Sequence, residues 1–365
     1  VSDGSLRSVH VVVPGDIDDD AVPSGGNVYD RRICRGLPAT GRPVREFAVA
    51  GAWPRPDGAA RASLARTLAT VPDGAVVLVD GLVACGVPDV VVPQARRLQL
   101  VVLVHLPLGD EVGPAPAAAA ELAALERSTL QAASAVVATS HWAARRLVQH
   151  HGLGADRVHV AAPGVDRAPL APGTDGATRL LCAGAVTATK GQDLLVEALA
   201  TAADLPWRCD LVGPLRRDPA QVAAVRRGIE RHGLTGRLRL TGPRTGARLA
   251  AAYAAADLLV LPSRAESYGM VVTEALARGI PVLAAAVGGV PETLGRDPDG
   301  RVPGIVAPPA DVPALAAALR RWLGSPALRE QLRSVAQEQR DRLDGWEATF
   351  RCLTGVLDRL PGMPG

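Results

Sequence analysis

Short apolar runs rich in Val and Leu recur along this chain, separated by stretches of helical periodicity. The runs at 8–13 (SVHVVV), 44–49, 75–80 (AVVLVD), 99–104 (QLVVLV), 134–139 (SAVVAT) and 157–161 predict strands, and segments 27–37, 58–70, 115–132 and 141–151 predict the helices between them. The strand runs are nearly continuous in apolar residues rather than alternating, as parallel strands covered by helices on both faces require. A Pro/Gly-dense stretch without periodicity, 162–178 (APGVDRAPLAPGTDGAT), reads as an interdomain linker. The alternation then restarts: strands at 178–183, 208–212, 237–241, 257–261 and 281–286, helices at 191–203, 218–233 and 246–255, and closing helical segments at 312–323, 326–341 and 345–360. Two successive βαβ series predict an α/β chain of two doubly wound domains, 1–170 and 171–344, followed by a terminal helix within 345–365. No short-period repeat interrupts the pattern, which excludes a solenoid.

Length and composition agree with this division. A chain of 365 residues exceeds one ordinary core, and 48% hydrophobic content excludes disorder. No uncharged apolar run reaches the ~18 residues of a membrane span, and the N-terminal VSDGSLRSVHVVVPG, which lacks a basic leader pattern, reads as a first strand. The five cysteines are never closely spaced, which argues for reduced thiols and against a zinc knuckle. A net charge of +3, spread along the chain, provides no basic stripe for nucleic acid but suits an anionic small substrate. Lys190 is the only lysine and Asn27 the only asparagine in a chain otherwise rich in Arg, Ala, Gly and Pro. Both therefore stand out against the compositional bias.

Ligands of open parallel sheets bind beyond the carboxyl ends of the strands, and the unusual residues collect there. Gly25 and Gly26 lead into a helix, where they would let backbone N–H groups approach an anion; a plain strand–helix turn, with Asn27 as an N-cap, is the alternative. Lys190, between Gly184 and a helix, can balance a diphosphate or simply lie on the surface. His105 ends the VVLV run as either a ligand contact or a hydrogen-bonded core residue, while His150, His151 and His232 read as exposed helix-end residues. The acidic run 16–20 reads as a solvated loop or as an acceptor-side loop attracting a cationic or polyhydroxyl group.

The stretch SRAESYGMVVTEALARG (263–279) places Glu266 and Glu274 eight positions apart between apolar runs. A helix starting near Ser267 would rotate the two carboxylates by roughly 80° about its axis. They would then not form the tight couple of a glycoside hydrolase but would grip two ends of an extended ligand, with the N–H groups of Gly269 and Met270 offered to a phosphate. First-turn glutamates complementing the helix dipole would account for Glu266 but not for Glu274.

Taken in order, these motifs resemble the retaining GT-B glycosyltransferases of family 4 (glycosyl transferases group 1). The resemblance runs over nearly the whole chain. It takes in the Gly25-Gly26 loop, the His105 strand end, SAVVATS, VAAPGVD, the loop 184–191, VGP at 212–214, LTG at 240–242 and YAAADLLVLPSRAESYGMVVTEALARGIPVLAAAVGGVPE with its E-x7-E signature. It implies two Rossmann-like domains facing a cleft whose closure assembles the site, the first binding the acceptor and the second the nucleotide sugar. The last helix, with Trp346, would cross back to the first domain.

By the same resemblance Lys190 would hold the donor diphosphate and Glu274 the ribose hydroxyls. Glu266, Ser267, Tyr268, Gly269 and Met270 would line the sugar and phosphate end. Gly25 and Gly26 would admit the phosphate and transferred sugar, with Asn27 beside them, and His105 would contact the sugar at the reacting carbon. His105, Glu266 and Lys190 would be the catalytic residues. The resemblance also implies that no metal ligand set or cofactor is needed. Partners are a nucleoside-diphosphate sugar and a hydroxyl acceptor, with no nucleic acid and no transmembrane segment; the expected location is the cytoplasm, at most peripheral to a membrane. One departure matters: Ala185 stands where the family commonly has an arginine beside Gly184, and Arg264, Arg216 and Arg217 are the candidates to replace it. Alternatives are an inverting GT-B transferase with His105 or Asp16 as base, and a degenerate transferase that binds nucleotide sugar without turnover. A nicotinamide dehydrogenase is disfavoured because no strand is followed by G-x-G-x-x-G.

Overall fold

The computed structural model describes residues 8–113, 115–174 and 176–360, so the reading of the extreme N-terminus and the last residues of the closing segment lie outside the described residues. The chain divides into two compact units: Val1–Asp18 with Gly25–Gly164 and Trp346–Gly365, and Asp19–Ser24 with Val165–Gly345. The passage between Gly164 and Val165 falls in the Pro/Gly-rich stretch.

In the first unit, strands β1 (Val9–Pro14), β2 (Val44–Val49), β3 (Val76–Asp80), β4 (Gln99–Val104), β5 (Ala135–Ala138) and β6 (Val158–Val160) form one parallel sheet in the order β2-β1-β3-β4-β5-β6. Helices α1 (Gly25–Gly36), α2 (Gly58–Ala69), α3 (Gly81–Ala84), α4 (Pro88–Val91), α5 (Pro116–Ala132) and α6 (His141–His151) connect them. In the second unit, β7 (Arg179–Ala183), β8 (Arg208–Val212), β9 (Leu238–Gly242), β10 (Leu258–Leu261), β11 (Val282–Ala285) and β12 (Gly304–Ala307) are parallel in the order β12-β11-β10-β7-β8-β9. Its helices are α7 (Gln192–Ala200), α8 (Pro219–Arg231), α9 (Gly246–Ala254), α10 (Met270–Leu276), α11 (Val290–Leu294), α12 (Val312–Gly324) and α13 (Pro326–Arg340). The last helix, α14 (Trp346–Asp358), belongs to the first unit, where Trp346 packs edge-on against Tyr29 of α1 and Thr349 donates to the Ala162 carbonyl at 2.7 Å.

The continuous apolar runs are explained by the pleat. Successive side chains of a strand point to opposite faces, so β7 sends Leu180 and Cys182 into one core with Trp207 and Trp322, and Leu181 and Ala183 into another with Tyr253 and Leu276. Both faces are covered, and both must be apolar. The edge strand β12 escapes the sequence reading because it is not covered in this way: its first three residues are half-buried or exposed. All five cysteines are free, four of them buried. No helix among the described residues is long and apolar enough to cross a membrane.

Candidate active site

In the second unit β7 and β10 are neighbours at the switch point of the strand order, so their loops leave the sheet side by side. The loop after β7 fits only because glycine lacks a side chain: a Cβ on Gly213 would lie 2.0 Å from the Gly184 carbonyl oxygen, and one on Gly191 2.2 Å from that of Pro262. The Arg264 amide donates to the Thr189 carbonyl at 2.8 Å, joining the two loops. Lys190 thereby reaches Glu266: its Nζ donates to Oε1 at 2.6 Å, and Ser263 Oγ donates to the same oxygen at 2.8 Å. Glu266 is only 7% exposed. Its backbone is fixed from β11's side, where the Gly289 amide donates to the Glu266 carbonyl at 3.1 Å and a Cβ on Gly288 would come within 1.6 Å of that oxygen.

The helix expected from Ser267 begins instead at Met270, with Gly269 at φ +84° ahead of it and no side-chain cap. Only glycine adopts that backbone at little cost, so the turn holds Ser267 and Tyr268 outside the helix. Glu266 therefore lies in a loop, and no helical rotation relates it to Glu274. Glu274 Oε2 accepts the Tyr253 hydroxyl at 2.6 Å, and the Arg278 guanidinium donates to the Glu274 main-chain carbonyl at 2.7 Å. Burial raises its pKa against the opposing effects of Tyr253 and Arg278.

Arg264, a candidate to replace the missing arginine, lies against the loop that carries Lys190. Its guanidinium forks onto Asp193 in the first turn of α7, at 2.9 and 2.6 Å, and donates to the Ala188 carbonyl at 2.8 Å. Burial works against an ionised Asp193, but Arg264, together with hydrogen bonds from the backbone and Gln221, outweighs it and holds the carboxyl below its ordinary range. Such a bidentate pair is geometrically specific, and it braces the Lys190 loop. Arg217 donates to the Val22 carbonyl at 3.1 Å, Arg216 is exposed, and the Ala185 carbonyl accepts from Gln192 Nε2 at 2.9 Å.

In the first unit, β1, β3 and β4 lie side by side and converge on a second cluster. Gly25 and Gly26 open α1, and a Cβ on Gly26 would lie 3.2 Å from the His105 ring. Asn27 lies inside the helix, not at its cap; its Nδ2 donates to the carbonyl of exposed Asp16 at 3.1 Å, pinning the loop after β1. His105 Nε2 is 2.8 Å from Asp30 Oδ1 and 4.0 Å from Asp80 Oδ2, and Tyr29 packs edge-on against its ring. One oxygen from each carboxyl and a ring nitrogen of His105 lie within 4.8 Å of one another, a spacing that could admit a cation. Burial pushes Asp30 up to about 7, with Asp80 and Arg31 opposing, and raises Asp80 well above the usual range, reinforced by the Asp30 charge. Burial lowers the pKa of His105, against the pull of Asp80. His151, expected at the surface, is instead buried against Glu126, with Nε2 and Oε2 3.0 Å apart.

Comparison with known proteins agrees with both halves. The model of Glycosyltransferase Family 4 matches residues 8–168, and that of Glycosyl transferases group 1 matches residues 172–339. A D-inositol 3-phosphate glycosyltransferase 1 from Catenulispora acidiphila is 34% identical over 301 residues, covering 77% of this chain and 69% of that protein. This chain belongs to the family 4 glycosyltransferases. A D-inositol 3-phosphate glycosyltransferase from Nocardioides is 36% identical over 260 residues, but the glycosyltransferase described here spans only 55% of its length. The fold is GT-B, shared over 97% of the chain with a sucrose-phosphate synthase from Thermosynechococcus elongatus (99% of that chain, TM-score 0.80, 23% identity) and with Anabaena HepE in complex with UDP-glucose (100% of that chain, TM-score 0.74, 20% identity).

Several residues that shape this glycosyltransferase's site escaped the sequence reading. Ser263, Asp193 and the Gly288-Gly289 pair support Lys190 and Glu266, and Asp30 and Asp80 enclose His105. A signal existed for Asp80, the single acid in AVVLVD at a strand end. Asp30 sits within a polar helix segment and carries no such signal.

Proposed function

We propose that this glycosyltransferase moves a sugar from a nucleoside-diphosphate sugar to a hydroxyl of a small-molecule or glycan acceptor, with retention of anomeric configuration. The observation that carries the reading is the pairing of the chain's only lysine with buried Glu266 at the switch point of the second sheet. An ammonium has three donors. One serves Glu266, so Lys190 can hold a diphosphate oxygen while Glu266 and Ser263 keep it aimed. As the glycosidic bond lengthens, negative charge builds on the leaving diphosphate, and Lys190 with the Gly269 and Met270 amides stabilises it electrostatically. Glu266 faces sugar hydroxyls, Glu274 with Tyr253 takes the ribose, and Ser267 and Tyr268 line the wall between them. Arg264 acts through Asp193 as a positioning residue. Gly25, Gly26, Asn27 and His105 are assigned to the transferred sugar and the acceptor. Such a reaction needs no metal, and activity is expected to persist in EDTA.

The relatives' name makes an inositol phosphate the first acceptor to test, and the HepE complex makes UDP-glucose the first donor, followed by other UDP- and GDP-sugars. Proton NMR of the first-formed product decides the stereochemistry: an anomeric coupling matching the donor supports retention. One observation favours a second reading. Asp30 holds His105 Nε2 at 2.8 Å, the arrangement of a carboxylate-oriented base, and an inverted product would establish an inverting transferase. Donor binding without hydrolysis or transfer would instead indicate a binder that has lost turnover, consistent with Ala185.

A further inference from the structure

Asp30 and Asp80 are 2% and 4% exposed. They come together because β1 and β3 are neighbours: α1, which follows β1, carries Asp30, and Asp80 ends β3, where it caps α3 through the Leu82 amide at 2.6 Å. Among the described residues, the titratable and charged groups on the elements around the pair include His105, Tyr29, Arg31, Arg32 and Cys85, with Arg32 stacked over Trp346. His105 approaches from the end of β4, Tyr29 and Arg31 flank Asp30 on α1, and Cys85, just after α3, feels the charge on Asp80. Arg31 is engaged elsewhere, forked onto Asp18 and bonded to Glu46 at 2.6 Å. Among the described residues, the two carboxyls form no ion pair with an arginine or lysine, only with His105.

Two facts about the pair conflict if both groups are ionised. The carboxyls each bring an oxygen within 4.8 Å of the other and of a His105 ring nitrogen, and Asp30 Oδ2 is buried without a hydrogen-bond partner. Ionised carboxylates are acceptors only, so neither can donate to the other, and two like charges at this depth are strongly disfavoured. A single proton resolves both difficulties. With it on Asp80 Oδ2, Asp80 accepts from Leu82 through Oδ1 and donates to Asp30 Oδ2. Asp30 stays ionised and takes the His105 Nε2–H on Oδ1.

We propose that Asp30 and Asp80 share one proton and that the pair is a positioning device, fixing His105 as the neutral Nε2–H tautomer so that Nδ1 is its hydrogen-bond acceptor. The proton assignment stands whatever reaction the protein catalyses; its catalytic consequence rests on the transferase reading above. In that reading His105 accepts a hydrogen bond from a sugar or acceptor hydroxyl and does not donate one. The orienting carboxylate–histidine pair is a recurring way to select a tautomer. Here a second, protonated carboxyl keeps the first from carrying an uncompensated load of lone pairs.

The test is NMR of the full chain labelled with ¹⁵N-histidine, with Asp30→Asn, Asp80→Asn and Asp80→Ala beside the wild type, and infrared difference spectra of the same proteins. The expected wild type shows His105 neutral and Nε2-protonated at about pH 8, above the value of about 7 at which Asp30 ionises, and a protonated-carboxyl C=O band that persists there. Asp80→Asn removes the band but retains the tautomer, because its amide N–H replaces the shared proton. Asp80→Ala and Asp30→Asn each give mixed tautomers. In turnover, Asp30→Asn lowers kcat about 10- to 100-fold while the donor KM stays within about threefold. No protonated-carboxyl band, or an unchanged His105 signal in Asp30→Asn, overturns the proposal. So does broadening of the His105 resonance by Mn²⁺ that Asp30→Asn abolishes, since a cation would then occupy the proton's place. A wild type without transferase activity but with the expected spectra would refute the transferase reading and leave the proton assignment intact.

Discussion

Glu266 is buried, and its charge is met by Lys190 and Ser263. Removing the ammonium leaves both an uncompensated carboxylate and a leaving group without its cation. Lys190→Ala should lower kcat by about 10² to 10³, the cost of removing one electrostatic stabiliser of a transition state. Its circular dichroism should match the wild type; near-normal turnover would remove Lys190 from the mechanism. Asp30 provides a pH test. Its folded value of about 7 lies above the ordinary carboxyl value near ~3.9, so the native state binds more protons between those limits. Stability from this group is complete below about pH 4 and is lost as pH rises toward about 7. The lowered pKa of His105 acts in the opposite sense, weakening the fold as pH drops below about 6.5, so a comparison of variants is needed. Asp30→Asn should gain in urea-unfolding stability relative to wild type on going from pH 5 to pH 8. Parallel stability curves would contradict the raised value.

At the level of elements, two loops and a short helix are held in place mainly by glycines and two ion pairs. Gly288→Ala would put a methyl group 1.6 Å from the Glu266 carbonyl, at a φ of +55°. The β11 loop or the Glu266 loop must then move. The expected result is a lower Tm together with a loss of turnover at least tenfold, and a crystal structure or NMR shift map should show Glu266 displaced; unchanged Tm and activity would mean that the loop gives way freely. Arg264→Met keeps the packing stem but releases Asp193 and the Lys190 loop. If Arg264 acts by bracing, the donor KM should rise several-fold with kcat within about threefold. A collapse of kcat equal to that of Lys190→Ala would restore Arg264 as a direct diphosphate ligand. The strands were readable from their apolar runs because burial on both faces leaves no other solution. The start of α10 was not, since the positive φ of Gly269 moved it three residues beyond the expected Ser267, and sequence periodicity does not report such a turn. Lys190, Glu266 and His105 were legible as isolated residues at strand ends. Asp30 and Asp80 beside His105, and Asp193 opposite Arg264, come from elements distant in sequence from those partners, and only the strand order brings them near.

Across the whole molecule, two parallel sheets each gather polar side chains at a switch point: Lys190 and Glu266 in the second, and Asp30, Asp80 and His105 in the first. Both halves match family models, which places the fold and the family beyond the individual contacts. The substrate is the remaining question, and the most direct test is calorimetric titration of the full chain with UDP and GDP, on wild type and on Lys190→Ala. The account predicts that one of these nucleotides binds the wild type and that the variant binds it at least tenfold more weakly. Equal affinity for wild type and variant, or no binding of either nucleotide, would contradict a nucleoside-diphosphate site built on Lys190.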